Sequence, residues 1–170
     1  MKKLVNVRII TTAGMLLAAA VVLGFFKIPI SQVVEIRLQF LPVAAAGMLL
    51  GPFWGGVTGA LSDILGYMVR PTGPFFPGFT VSAAIQGVIY GLILHGKEAS
   101  IRRIILSQAV DLICVSFFLN SLWLSMLYGQ GFLAVFTARI IKNLVMFPIN
   151  TFLLMAVMRP ASRAGKLFLT

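Results

Sequence analysis

Residues 71–96 read PTGPFFPGFTVSAAIQGVIYGLILHG, twenty-six positions without a formal charge. Three prolines and two glycines open the stretch, and an apolar run without proline follows from Phe79. A bilayer core of about 30 Å needs roughly 20 residues of helix per crossing. Over such a length only a helix satisfies its own backbone hydrogen bonds in lipid. The stretch therefore reads as a rigid turn feeding a membrane-spanning helix over 79–96.

The same pattern repeats outward. Arg8 and Lys27 bracket eighteen uncharged positions, 38–69 contains only Asp63, 104–138 contains only Asp111, and 143–158 contains no charge. The 38–69 stretch is broken at Gly51, Pro52, Gly55 and Gly56. It reads as two spans that share too few residues, so one should be short, tilted or shielded by protein. Tyr128, Gly129, Gln130 and Gly131 form a turn signal. The expected spans are 9–26, 38–51, 55–70, 79–96, 104–127 and 133–157: an all-α integral membrane protein of six transmembrane helices, one compact bundle and a single domain over 1–170. Composition agrees. The chain is 59% apolar and 11% charged, with a mean hydropathy of +1.01, against about 45–50% and 25% in a soluble domain. A soluble enzyme and a disordered tail are excluded, and the single Cys114 excludes an internal disulfide scaffold. Met1-Lys2-Lys3, an apolar run and Ala18 to Ala20 imitate a signal peptide; with five further spans behind it, an uncleaved first span is expected.

Fourteen cations against four acids give +10. Six spans put both termini on one side, together with Lys2, Lys3, Arg8, Lys97, Arg102, Arg103, Arg159, Arg163 and Lys166. The positive-inside rule makes that side cytoplasmic, so nucleic acid is not needed to explain the charge. Lys27, Arg37, Arg70, Arg139 and Lys142 remain on the outer side, opposed there only by Glu35. Snorkelling at helix ends accounts for Lys27, Arg37 and Arg70 as well as a site does. Arg139 and Lys142 lie inside the last span, where charge is costly and marks a site; the alternative for Arg139 is a structural partner such as Asp111 or Glu35. Together the outer cations point to an anionic ligand arriving from outside.

Arg139, Asn143, Met146 or Phe147, and Asn150 recur at helical spacing on one face. Arginine offers a donor fork for a carboxylate; asparagine offers a donor and an acceptor to a heterocycle edge. The competing role for such residues is interhelical hydrogen bonding. In the preceding span Ser116, Asn120, Trp123 and Leu127 share a face, with Trp123 placed to stack on a flat ligand. Pro74-Phe75-Phe76-Pro77-Gly78-Phe79 forms a rigid aromatic loop suited to a lid or pocket wall, or to anchoring at headgroups. Tyr128 and Phe132 read as interfacial aromatics.

Gly51, Gly55 and Gly59 form a small-residue face expected to pack internally. Ala13, Gly14, Ala18, Ala19, Ala20 and Gly24 cover more of the first span than one internal contact needs, which points to a partner membrane protein. Catalytic signals are poor. Gly91 to Glu98 departs from a phosphate-binding loop because Glu98 replaces the Ser or Thr that would hold Mg²⁺, and because it ends an apolar span. His95 has no companions for a metal set or a nucleophilic triad. Asp63 lies two turns from Arg70, within reach of a structural pair.

PFFPGFTVSAAIQGVIYG (74–91), GMLLAAAVVLG (14–24), LNSLWLSMLYG (119–129) and RIIKNLVMFPIN (139–150) resemble the substrate-binding S component of an energy-coupling factor (ECF) transporter, closest to its folate-specific branch. The resemblance covers almost the whole chain. It implies a vitamin site near the outer surface, built from the first and third outer loops and helices 4 to 6. It also implies a complex with a transmembrane coupling subunit and two cytoplasmic ATPases. ATP is then consumed by the ATPases, and this chain is no enzyme and needs no cofactor. The first helix, through Gly14, Ala18, Ala19 and Ala20, would meet the coupling subunit. Folate's carboxylates match the outer cations, among them Arg37, Arg70 and Arg139. Its pterin edge matches Asn120, Asn143 and Asn150, and its rings match Trp123, Phe75 and Phe76. An S component for thiamine or riboflavin, or a non-catalytic membrane scaffold, fits the same residues.

Overall fold

The computed structural model describes residues 7–26, 28–29, 35–36, 38–71, 74–97, 99–129 and 131–168. Its helices are α1 (Val7–Gly24), α2 (Phe40–Leu50), α3 (Pro52–Val69), α4 (Pro77–Leu94), α5 (Ile101–Asp111), α6 (Asn120–Tyr128) and α7 (Phe132–Phe168). A π-helical segment, Leu112–Leu119, joins α5 to α6 in one helical stretch from Ile101 to Tyr128. Among the described residues the only strands are a two-residue antiparallel pair after α1, Ile28 opposite Ile36 and Pro29 opposite Glu35. Lys27 and Arg37 lie outside the described residues.

Val7–Gly24, Pro77–Leu94, Ile101–Tyr128 and Lys142–Ser162 are long and apolar enough to cross a membrane. α2 is the short helix expected from the residue shortage in 38–69. Eleven residues rise about 16 Å, half a bilayer core, and Phe40 through Met48 are all buried in the bundle. Only Gly51 separates α2 from α3. Its φ of +99° suits glycine, and Pro52 at the first helical turn has no N–H to leave unsatisfied. α3 has 18 residues, but its glycines, Thr58, Ser62 and Asp63 make it less apolar than the other spans.

The tightest packing lies where α4 crosses α3 and α2. A Cβ on Gly87 would meet the Gly55 carbonyl, one on Gly59 the Ala83 carbonyl, and one on Gly91 the Pro52 backbone. The internal role expected of Gly55 and Gly59 is thus met by Gly87 and Gly91 on the facing helix, a small-on-small seam that lets backbones touch. Beside it, Phe40, Leu41, Ala44, Met48, Tyr90, Leu94, Ile104, Leu154 and Met158 form the apolar core.

One boundary differs clearly from expectation. α7 runs to Phe168, beyond the expected end at 157, through Pro148 and Pro160. Arg159 limits the apolar length but not the helix, which continues past it. The turn at 128–131 is present, with Gly129 left-handed at φ +63°.

Candidate substrate-binding site

α4 begins immediately after the aromatic loop, with Phe76 as its N-cap and Pro77 in its first turn. Phe75 and Phe76 diverge there. The Phe75 ring meets Tyr67 of α3 at 5.1 Å, whereas Phe76 meets Trp123 of α6 at 5.6 Å with planes tilted by 46° and Phe79 edge-on at 6.1 Å. Gly78 makes this approach possible, since a Cβ there would lie 2.5 Å from both the Phe76 and Trp123 rings. Trp123 Nε1 donates to Ser82 Oγ on α4 at 3.1 Å. Loop and tryptophan, singled out separately in the sequence, are thus one aromatic wall. The indole N–H is taken by Ser82 and its ring is braced by Phe76.

The polar residues come from the π segment, α6 and α7. Arg139 and Asn143 are only 5% and 4% exposed, although both stand on a helix of 37 residues whose neighbouring positions Ile140, Leu144 and Val145 are open. Ser116 Oγ donates to Asn143 Oδ1 at 3.2 Å. Asn143 Nδ2, Asn120 Oδ1, Asn150 Oδ1 and Ser121 Oγ are buried with no hydrogen-bond partner. One such atom costs about 1–3 kcal/mol, so four on α6 and α7 are expensive unless a ligand supplies partners. Interhelical bonding explains Ser116 and one oxygen of Asn143. It leaves the amide of Asn143 and the carbonyls of Asn120 and Asn150 available.

The π segment lies between two differently partnered groups: Ser116 on it bonds Asn143 of α7, whereas Asp111 just before it bonds Gln86 of α4. A groove of about 280 Å³ runs beside this segment, lined by apolar side chains of the π segment and α7, with Asn143 as its polar member.

Other expected site residues are placed elsewhere. Arg70 is exposed, and its Nη1 donates to the Phe25 carbonyl at 2.6 Å, tying the end of α3 to the end of α1. Asp63 accepts from Thr80 Oγ1 at 2.9 Å. Asp111 accepts from Gln86 Nε2 at 3.0 Å. Arg37 falls outside the described residues. On α1, Gly14, Ala18 and Ala19 are exposed, and Gly14 has open space around it. Ala20 is a correction: it is fully buried, on the inward face with Ala13 and Gly24, so the open small-residue face is narrower than the sequence implied. Ser82 and Gln86 were not singled out in the sequence. Their signal is polar side chains at i and i+4 in an otherwise apolar span.

A helical membrane bundle with one aromatic wall and a cluster of buried polar atoms is the build of a solute-binding transport component. Residues 8–158 match the family model of the ECF transporter substrate-specific component, and the chain belongs to that family, one of transport subunits rather than enzymes. It is 37% identical over 133 residues to the folate transporter FolT of Clostridium novyi (strain NT), covering 78% of this chain and 77% of that protein. It is 30% identical over 165 residues to FolT of Streptococcus mutans serotype c, covering 93% and 89%. The crystal structure of a FolT bound with folic acid superposes with a TM-score of 0.83 at 32% identity, covering 91% of this chain and 95% of that one.

Proposed function

We propose that this chain is the folate-binding subunit of an ATP-driven ECF-type uptake transporter. It captures folate at the outer face of the cell membrane and delivers it inward. The observation that carries the reading is the aromatic wall of Phe76 and Trp123, with Asn120 on the helix of Trp123 and Asn143 and Asn150 on α7 each keeping a buried amide atom without a partner. A pterin offers a flat ring to the first and alternating donors and acceptors to the second. The likeness to the folic-acid-bound FolT supports the same ligand. In this reading Phe75, Phe76, Trp123, Asn120, Asn143 and Asn150 serve the ring system, and Arg37, Arg70 and Arg139 serve the carboxylates. The chain crosses the membrane six times as one domain, with both termini cytoplasmic.

Purified protein titrated with folate is expected to show saturable quenching of Trp54 and Trp123 fluorescence, with no response to thiamine or riboflavin at the same concentrations. Quenching by riboflavin or thiamine instead would reassign the vitamin, and no saturable response to any of them would remove the transport-subunit reading.

The partners in this reading are a transmembrane coupling subunit and two cytoplasmic ATPases, which use the ATP. The open Gly14, Ala18 and Ala19 face of α1 is the docking surface. Ala18→Trp is expected to abolish co-purification with the coupling subunit while folate binding by the isolated chain stays within about threefold, because Ala18 is exposed and Phe76, Trp123 and the buried amides stand at α4, α6 and α7. Intact co-purification would move the docking surface elsewhere.

A further inference from the structure

α5 and α7 meet at one end of the bundle. Ile104 and Met158, both fully buried, belong to the same apolar core. Arg102 and Arg103 stand beside the first and Arg159 beside the second. Residues 95–110 and 155–170 together hold six Lys and Arg against one acid, Glu98. Orientation in a membrane asks for cations on one side of the bundle. It does not ask for them at the ends of two helices that touch. Arg102 and Arg159 are both exposed.

Two stripes of side chains lead from these arginines into the bilayer. Arg102, Leu106, Ala109 and Ile113 recur at i, i+4, i+7 and i+11. On α7, Leu144, Pro148, Met155 and Arg159 stand at i, i+4, i+11 and i+15. Both stripes run into the groove of about 280 Å³ that Ala109, Leu112, Ile113, Phe117, Leu144 and Phe147 line. Its polar member, Asn143, is buried and bonded to Ser116, so the wall open to the bilayer is apolar. Ile113 and Leu144 stand open on it. The lengths agree. From Arg102 to Leu112 the helix rises about 15 Å and from Arg159 to Phe147 about 18 Å, and one leaflet holds about 15 Å of hydrocarbon. An acyl chain whose headgroup lies level with the arginines therefore ends in the groove.

We propose that the α5–α7 seam is a docking site for one anionic phospholipid of the leaflet at this end of the bundle. Arg102 and Arg159 hold its phosphate, and an acyl chain lies along the seam and covers Ile113 and Leu144. A guanidinium fork matches phosphate oxygens, and basic recesses between membrane helices bind anionic headgroups in this way. A zwitterionic headgroup brings its own cation and gains less. The partner face proposed for α1 is carried by other helices, since α1 packs on α2 and α3. In the orientation proposed above the leaflet is the cytoplasmic one; the site itself does not depend on that orientation.

The test uses the full chain in neutral detergent, titrated with dioleoyl phosphatidylglycerol or dioleoyl phosphatidylcholine, with bound lipid counted by native mass spectrometry. Phosphatidylglycerol is expected to bind at least about tenfold more tightly. Arg102→Gln combined with Arg159→Gln should bring the two lipids to within about threefold of each other. Arg8→Gln, which removes an exposed cation of α1, should leave the preference intact. Leu144→Trp fills the groove and should weaken both lipids by at least about fivefold. Glycerol 1-phosphate, a headgroup without chains, should displace the lipid only at concentrations at least about a hundredfold higher. Wild-type protein without the preference overturns the proposal whether or not any variant folds. So does a preference that survives loss of both arginines, or one that falls as far in Arg8→Gln, because bulk charge would then be its cause. Unchanged binding in Leu144→Trp, or displacement by glycerol 1-phosphate at equal concentration, takes the acyl chain out of the groove and overturns it too. None of these measurements uses folate, so their failure leaves the folate reading standing.

Discussion

Protein carrying Gly87→Ala is expected to melt about 10 °C or more below wild type, and Gly87→Leu to be lost from the membrane fraction. The added Cβ at Gly87 falls on the backbone carbonyl of Gly55, with the Gly56 nitrogen 3.0 Å away. A clash with a side-chain tip can be relieved by a rotamer. A clash with helical backbone is relieved only by moving α3 away from α4, the most extensively packed pair in the bundle. Forced overpacking commonly costs about 1–3 kcal/mol. Backbone displacement along a whole seam puts the cost at or above the upper end, which corresponds to roughly 10 °C for a chain of this size. Two comparisons give the effect a gradient. A Cβ at Gly56 meets first Val88 Cγ2 at 2.9 Å, a methyl that can turn aside, so Gly56→Ala should lower the melting temperature only slightly. A Cβ at Gly14 meets nothing within 4 Å, so Gly14→Leu should leave it unchanged. Thermal melts of the detergent-purified variants give the ranking; equal melting of Gly87→Ala and Gly14→Leu would contradict the seam.

The same contrast separates what the sequence made legible from what it did not. Charge gaps located the helices to within a few residues except at the C-terminal end of α7, because burial of charge in lipid is costly enough to be written in composition alone. The shortage of residues in 38–69 pointed to one helix that is short, tilted or partly shielded, and α2 is short and buried. The π segment was not legible. LICVSFFL (112–119) fits α-helix or strand, and only its neighbours decide that the helix widens there. Asp111, read as a possible partner of Arg139, stands just before that segment and accepts from Gln86 of α4. Periodicity found Arg139 and Asn143 because both lie on a regular stretch of α7. It missed Ser82 and Gln86 because small and amide side chains in an apolar run look like packing until their partners on another helix are known. Arg70 was read from its place at a helix end, and the structure adds a contact that sequence could not show: its Nη1 donates to the Phe25 carbonyl.

Trp123→Ala is expected to weaken folate binding by about a hundredfold or more. The indole is a structural hinge as well as a surface: it braces Phe76, covers Gly78 and is fixed by its bond to Ser82. Removing it takes away one wall, frees the loop that carries the other, and leaves Ser82 Oγ without its donor. Central aromatic anchors of this kind are worth about 2–4 kcal/mol on truncation, and 2.7 kcal/mol is about a hundredfold. Trp123→Phe separates the parts. It keeps a ring against Phe76 and deletes the N–H, and should cost only about tenfold. Gly78→Ala drives a methyl into both rings and should by itself weaken binding by displacing the loop. Combined with Trp123→Phe, the smaller ring makes room for that methyl, so the double variant should lose less than the product of the two single losses. Because these substitutions alter the fluorophore, binding is measured by equilibrium dialysis with labelled folate, with melting temperatures recorded alongside. A Trp123→Ala protein that melts normally and binds folate within threefold of wild type would detach the aromatic wall from the site and leave the buried amides as its only recognisable part. Strictly multiplicative losses in the Gly78 and Trp123 pair would mean that loop and indole act independently, contrary to the contact between them.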